Sequence, residues 1–421
     1  MRVVAKHQGE LRQITFASNG DLFGVTTLGA ILRYRDLDRN GVYEGVEIVE
    51  WASTGGDNGH NAEIDEPGGY LYAGSKAGVK RWKYGAEIDR GGSGEDVVVG
   101  QPGGGNHPYH PVHVYDGWLY VDSGSDKNSM DPMPADYDSH RSVIKRFALA
   151  GFAPGKPMAW KDGEIFVRGA RNVTGFTRSA AGRMYGVVSG IDDLRYGGAD
   201  VHADNPAEEL VLLEQGRAFG YPFCFAAVRL VVNGKVALPG TMLHADAASQ
   251  NPLVGVTKST KDDAWCEANA TPPLSVLQAH SSALSVAFFE GPDGALPARW
   301  RGGAFVALHG SWDRNPSTGY KIVWVPFDAD GKTPMATSTA DATTFPYEVV
   351  FGGGRAGAPR DGAWGWGDGG EGEDVVRPVG VAVSPIDGAL FVSSDNGEVP
   401  LAGVGKKRDG NLYRIAAPTP P

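Results

Sequence analysis

The sequence predicts an all-β protein, a six-bladed β-propeller of four-stranded antiparallel blades, from two observations. One is a unit that recurs six times: a short strand, a Gly-bearing turn and a stronger strand, with turn glycines at Gly20, Gly69, Gly117, Gly182, Gly303 and Gly388. The other is an alternating third strand after several copies, as in residues 30–35, 78–84 and 142–147. All-β units at a near-regular period imply radial repetition, in which each sheet buries its faces only against its neighbours.

Taken in order, the units begin at Ile14, Glu66, Val114, Ser179, Trp300 and Ser384. Most gaps between turn glycines are of blade size. The gap from Gly182 to Gly303 is about twice as long and reads as an insertion, about 225–275, with a small hairpin around Asn233 and Gly234. A second excursion, about 352–374, is rich in Gly and Trp, and 417–421 reads as a frayed tail. Both excursions are expected on the functional face, where loops sit on a rigid scaffold. The expectation is one propeller domain over 1–421.

The bulk composition excludes several classes. With 421 residues, net charge −11 and 21% charged residues, the chain has no electrostatic footprint for nucleic acid or an anionic membrane. No apolar run approaches the roughly 20 residues that span a bilayer. Sixty-one glycines sit at turns between alternating strands, as many tight hairpins require. The Gly-rich runs at 101–106 and 351–355 lack the helix pattern and lysine of a phosphate-binding loop, and the acidic run from Gly365 reads as a solvated excursion. Cys224 and Cys266 bracket the insertion, either as a disulfide or as two buried thiols. The first alternative points to the periplasm or the exterior. The N-terminus lacks the features of a signal peptide, so Met1 is either the native start or a start placed on a mature exported chain.

In a propeller, the residues just before each inner strand face the central channel. Here they are Arg12 and Gln13, His60 and Asn61, His107 and His110, Arg171 and Asn172, His280, and Arg377. Each alone is an ordinary solvated loop residue. Six in register imply a cationic, hydrogen-bonding pocket suited to a small polyanion plus a proton acceptor. A separate metal signal lies in the twelve residues 36–47: Asp36, Asp38, Asn40, the Val42 carbonyl, Glu44 and Glu47 take the ligand positions of an EF-hand-type calcium loop, with Gly41 at position six. A polar hairpin turn with Asn-Gly would look similar, and the loop is expected far from the channel.

These residues resemble the soluble pyrroloquinoline quinone (PQQ)-dependent sugar dehydrogenases, in their L-sorbosone or pyranose dehydrogenase-like branch, from about Gly9 to Ile415. The most specific piece is the run from Ala307 to Phe327, with Leu308-His309-Gly310-Ser311-Trp312-Asp313-Arg314 and Gly319-Tyr320-Lys321. Supporting pieces begin at Gly169, Glu208, Gly220, Ala279 and Arg377.

The resemblance implies PQQ and Ca²⁺ as cofactors and a six-bladed propeller. It implies His107 as the general base taking the substrate's hydroxyl proton. His110 is the rival, because the segment from Asn106 to His113 is one residue shorter than the usual spacing. His113 faces the wrong way under strand alternation and reads as structural. Arg171 and Asn172 match the pair that grips the quinone carboxylates, Arg171 also stabilising charge on the quinone. Arg377 resembles the sixth-blade arginine, and His309, Arg314 and Lys321 fall in the region of further cationic contacts, where only the run as a whole transfers and a structural blade-five loop is the alternative. His60, Asn61 and His280 complete the ring.

For metals, the resemblance implies the carbonyls of Gly190 and Ile191 as calcium donors, although Ile191 stands where the family has Pro or Arg. Glu209 matches a carboxylate ligand of a second calcium. The implied partners are a sugar or aldehyde substrate and an external electron acceptor, a quinone, dye or small cytochrome, with a monomer or dimer assembly. Two rival classes are a calcium-dependent gluconolactonase-like hydrolase or lyase, which would hold calcium with carboxylate side chains at the strand starts, and a non-catalytic binding propeller.

Overall fold

A computed structural model of the chain describes residues 1–6, 8–128, 140–246, 260–292, 294–311, 313–314, 318–328, 330–335, 345–352, 377–395 and 410–416. The excursion at 353–376, the tail at 417–421 and part of the insertion, 247–259, lie outside the described residues, as do Trp312 and residues 315–317 of the 307–327 run.

Six antiparallel sheets follow one another along the chain. Blade 1 is Leu11–Phe16, Leu22–Thr26, Ala30–Tyr34 and Ile48–Ser53. Blade 2 is Ala62–Asp65, Tyr70–Ser75, Gly78–Lys83 and Glu95–Val99, and the two-residue strand Met158–Ala159 adds a parallel fifth member to it. Blade 3 is Val112–Tyr115, Trp118–Ser123, Val143–Ala148 and Glu164–Arg168. Blade 4 is Val173–Arg178, Met184–Val188, Glu208–Leu213 and Ser275–Leu277, and blade 5 is Ala283–Phe288, Ala304–Leu308, Lys321–Val325 and Glu348–Gly352. Blade 6 takes Pro378–Val383, Leu390–Ser394 and Asn411–Ile415 from the C-terminal part, and its outer strand, Arg2–Ala5, from the other end of the chain. This pairing ties the two ends of the chain into one blade and so closes the ring.

The apolar core is a set of wedges between neighbouring blades. Between blades 1 and 2 it holds Phe23, Val25, Trp51, Leu71 and Trp82, and between blades 4 and 5 it holds Tyr185, Val187, Val286, Phe288 and Val306. The axis is thereby left to backbone and polar groups. There the inner strands approach so closely that a Cβ on Gly175 would sit 2.6 Å from the Leu284 carbonyl oxygen, so that position has no room for a side chain.

The inner strands share an irregularity at one end. Register shifts fall between Leu11 and Ile14, Val173 and Gly175, Ala283 and Ser285, and Pro378 and Val381. A bulge re-aims side chains that strict alternation would send elsewhere. Four blades thus place extra residues toward the same end of the channel.

The insertion forms an antiparallel pair, Cys224–Ala226 with Met242–His244, with the hairpin Leu230–Val232 and Lys235–Ala237 between them in sequence, and a helix, Asp263–Asn269. Asp262 caps that helix by accepting from the Trp265 amide at 2.8 Å. Cys224 and Cys266 are disulfide-bonded, which decides between the two alternatives. No described helix is long and apolar enough to cross a membrane.

Candidate functional site

A cavity of ≈ 310 Å³ opens at the bulged end of the inner strands. Its wall is made of two rings. One is the expected set at the inner-strand starts: Arg12, His107, Arg171, Asn172, His280 and Arg377 all line it. The other is the first residue after the second strand of three blades, Ser189, His309 and Asp395, which antiparallel pairing sets beside the inner-strand starts. The bulges add Thr174 and Leu284, and Tyr109, Glu208, Ser311 and Asp313 complete much of the remainder. His280 and Arg377 are non-glycine residues held at φ 55° and 54°, in the sparsely populated left-handed region, which the surrounding structure must impose.

Gln13 and His60 do not face this cavity. Gln13 Nε2 donates to the Thr174 carbonyl at 2.7 Å and reaches the Leu284 carbonyl, while His60 Nε2 lies 2.6 Å from the same Thr174 oxygen. They tie blades 1, 2, 4 and 5 across the axis. Asn61 bridges blades 2 and 3, donating to the Val112 carbonyl at 2.7 Å and accepting from its amide at 2.9 Å. It faces a second cavity, at the other end of the inner strands.

The two rival histidines have different surroundings. His107 lines the cavity, and its Nδ1 lies 3.0 Å from the Ser125 carbonyl oxygen, so Nδ1–H donates there and the lone pair is left on Nε2. Burial, with the Arg171 guanidinium adding to it, pushes its pKa down to about 3, so the ring is neutral. His110 is fully buried, away from the cavity lining. Its Nδ1 donates to the Asp122 carbonyl at 3.0 Å, and its ring packs against Trp160. His113 pairs with Glu63 at 3.1 Å, away from the cavity.

Arg171 is 5% exposed and its Nη2 lies 3.1 Å from Asp192 Oδ2. Asn172 beside it has a buried side-chain oxygen with no hydrogen-bond partner among the described residues, a polar group that a hydrogen-bonding ligand would satisfy. A Cβ on Gly124 would lie 2.6 Å from that oxygen and 2.7 Å from the His107 Cβ, so a glycine there lets both side chains reach the cavity. Arg314 pairs instead with Asp204 at 2.6 Å, and Lys321 donates to Gln278 Oε1 at 2.8 Å. Neither lines the cavity. His309 does, but burial and the neighbouring Arg377 push its pKa down to about 4, so it is a neutral contact rather than a cationic one.

The expected cationic pocket is corrected by the second ring and its neighbours. Arg12, Arg171 and Arg377 share the wall with four carboxylates: Asp192, Glu208, Asp313 and Asp395. These follow second strands or open a third strand, positions that hairpin pairing, and not the inner-strand starts, brings to the channel. Burial raises Asp192 to about 6, with Asp313 and Asp193 adding to it and Arg171 opposing, and burial raises Glu208 to about 7.

Among the described residues, two carboxylate-bearing groupings could hold a metal. Ligand atoms of Asp192, His280 and Asp313 all lie within 4.8 Å of one another at the cavity wall. Of the residues expected as carbonyl donors, Gly190 lines the cavity, whereas the Ile191 side chain is packed in the core of the insertion. Glu209 sits on the far side of that segment, facing a small void lined also by Phe219 and Tyr221. Burial, with Glu208 adding to it, raises Glu209 to about 8. The second grouping is Asp36, Asp38 and Glu47, again within 4.8 Å, in the turn between the third and fourth strands of blade 1. There Asp36 Oδ2 accepts from the Gly41 amide at 3.0 Å, and its Oδ1 is buried with no partner among the described residues. Asn40 Oδ1 accepts from the Val42 amide, and Glu47 Oε2 from the Glu44 amide.

The chain is 28% identical over 408 residues to the "pyrroloquinoline quinone-dependent pyranose dehydrogenase" of Coprinopsis cinerea, covering 92% of this chain and 51% of that protein. It is 30% identical over 291 residues to a "pyrroloquinoline quinone-dependent sugar dehydrogenase" of Hypocrea jecorina, covering 67% of this chain and 58% of the relative. The chain thus spans about half the length of the curated relatives it matches. Among solved structures, the holo pyranose dehydrogenase PQQ domain from Coprinopsis cinerea superposes with TM-score 0.77 at 25% identity, covering 98% of this chain and 94% of that one. A calcium structure of the family AA12 enzyme of Trichoderma reesei gives TM-score 0.76 at 24% identity, covering 98% and 95%, and shares the fold. The family model described as TrAA12-like matches residues 1–401, from the closing strand of blade 6 through the second strand of the same blade, and on that match the chain belongs to the TrAA12-like family.

Proposed function

We propose that the cavity binds PQQ with calcium and that the protein oxidises a sugar, or a sugar-derived aldehyde or hemiacetal. The observation that carries this reading is the grouping of Arg171, Asn172 and a neutral His107 on one cavity wall, in a chain similar throughout to a holo PQQ domain. When bound, the quinone supplies the hydride acceptor and calcium polarises its reacting carbonyl. His107 Nε2 takes the substrate's hydroxyl proton. Arg171 presents a planar fork suited to a carboxylate, and Asn172 supplies an amide beside it. Arg377 offers a second cationic contact across the cavity.

Calcium fits the oxygen donors of Asp192 and Asp313, since a cation there relieves the burial that raises Asp192. The carbonyls of Gly190 and Ile191 and the Glu209 carboxylate remain proposed donors, for this site and for a second calcium. These carboxylates would equally serve a calcium-dependent hydrolase, which makes lactone hydrolysis the necessary control. The electron acceptor is an external quinone, dye or small cytochrome, and the compartment is the periplasm or the exterior, in keeping with the Cys224–Cys266 disulfide.

Reconstitution with PQQ and calcium tests the reading. The desalted protein should retain quinone absorbance and reduce dye with aldoses or aldehydes, and Arg171→Ala should weaken PQQ binding roughly 10- to 100-fold, the scale of a charged hydrogen bond. Loss of all quinone on desalting would sink the oxidoreductase, and hydrolysis of lactones without dye reduction would put the hydrolase in its place.

The loop Asp36–Glu47 is proposed as a structural calcium site. Calcium should raise the melting temperature of the chelated protein by a few degrees, and the double variant Asp36→Asn, Glu47→Gln should bind one calcium fewer by calorimetry. An unchanged stoichiometry in that variant refutes the site.

A further inference from the structure

We infer that Asp395 is a positioning residue: acting through His309, it fixes the guanidinium of Arg377 at the cavity wall. His309 and Asp395 hold equivalent places, the first residue after the second strand of blades 5 and 6, and Arg377 immediately precedes the inner strand of blade 6. His309 Nε2 lies 3.1 Å from Asp395 Oδ2, and Arg377 Nη2 lies 2.9 Å from His309 Nδ1. Asp395 Oδ2 is also 3.3 Å from Arg12 Nη1, and the Arg12 guanidinium stands 5.1 Å over the Tyr109 ring. A chain of contacts therefore runs Tyr109, Arg12, Asp395, His309, Arg377 along the wall, and every member lines the cavity.

The chemistry of the chain has one consistent arrangement. An ionised carboxylate only accepts, so His309 must carry its proton on Nε2 and donate it to Asp395. The lone pair is then on Nδ1, where it accepts from Arg377 Nη2. The Arg377 Nε, 3.3 Å from His309 Nε2, is then a packing contact, because that nitrogen already bears hydrogen. Were the tautomer reversed, Nδ1–H would point at an arginine N–H and the contact would become repulsive.

The arrangement is stable to ionisation as well. Burial opposes ionisation of Asp395, but its contact with His309, followed by the cations Arg12 and Arg377, holds it well below the usual carboxylate range, while burial keeps His309 neutral. Both imidazole nitrogens are committed, so His309 orients Arg377 and does not act as a base. The functional consequence rests on the proposal that the cavity takes an anionic cofactor.

The test is a mutant cycle read by PQQ affinity of the apoprotein, with nitrogen-15 spectra of the His309 ring as a ligand-free arm. Asp395→Ala and His309→Ala should each weaken PQQ binding by roughly tenfold or more, and the double variant should be no weaker than either single one. His309→Gln, whose amide offers a donor nitrogen and an acceptor oxygen, should bind within about threefold of the parent. In the parent, the spectrum should show hydrogen on Nε2 alone, and in Asp395→Ala a mixture of tautomers. Additive losses, parent-like affinity in Asp395→Ala, or an unchanged tautomer would each overturn the inference. If the parent itself binds no PQQ, the cofactor reading falls, while the spectra still decide whether Asp395 sets the tautomer.

Discussion

On the proposed oxidoreductase activity, replacing His107 by Ala should lower kcat for sugar oxidation by roughly 10²- to 10⁴-fold, the range for loss of a positioned base, while leaving PQQ affinity within a few-fold of the parent. The ring's Nδ1–H is spent on the Ser125 carbonyl, and the neutral Nε2 is the lone pair left for a substrate hydroxyl. With a pKa near 3, the ring stays neutral over the working range, so kcat/KM of the parent should show no acid limb from this group above about pH 5. His110→Ala should leave kcat largely intact and lower stability instead, because His110 is buried against Trp160 off the cavity. The reverse outcome, a parent-like His107→Ala and an inactive but folded His110→Ala, would make His110 the base.

A second large effect is expected in the pH dependence of stability. Burial holds His60 near 3, with Arg12 adding to it, and His110 near 4, against an ordinary value of 6.5. Between those values the unfolded chain binds more protons than the folded one, so the stability these rings contribute is complete above pH 6.5 and is lost as pH falls. Each should cost about 2 kcal/mol between pH 6.5 and 5, at about 1.4 kcal/mol per pH unit. The raised carboxylates Asp192, Glu208 and Glu209 act in the opposite sense, losing stability as pH rises toward their values of about 6, 7 and 8. The clean readout is therefore a difference, in which the carboxylates cancel. His110→Gln, whatever its cost at pH 7, should lose about 2 kcal/mol less than the parent between pH 6.5 and 5 in denaturant titrations. Parallel pH curves for the two would refute the buried, neutral assignment.

The wall residues differ in how legible they are in the sequence. Arg171, Asn172, His107, His280 and Arg377 could be found because each directly precedes or lies close before an inner strand, a place set by local sequence. Asp192, Asp395 and Asp313 escaped because they follow second strands. Their nearness to the channel comes from hairpin pairing and not from a pattern visible along the chain. Thr174 and Leu284 escaped because alternation points them elsewhere, and bulges turn them inward. Arg314 and Lys321 carry the right charge in the right segment, but Asp204 and Gln278 take their donors.

By itself the sequence determined the number of blades and the places of most inner strands, because hydrophobic alternation and turn glycines are local properties. It also determined which strand starts carry Arg, His and Asn. Only the tertiary structure decided that Arg2–Ala5 closes blade 6, that Cys224 pairs with Cys266, that His107 and not His110 lines the cavity, and that arginines and carboxylates share one wall. Each of these depends on which distant residues ring closure and strand pairing bring within hydrogen-bond reach, and that distance is not written in any single stretch of chain.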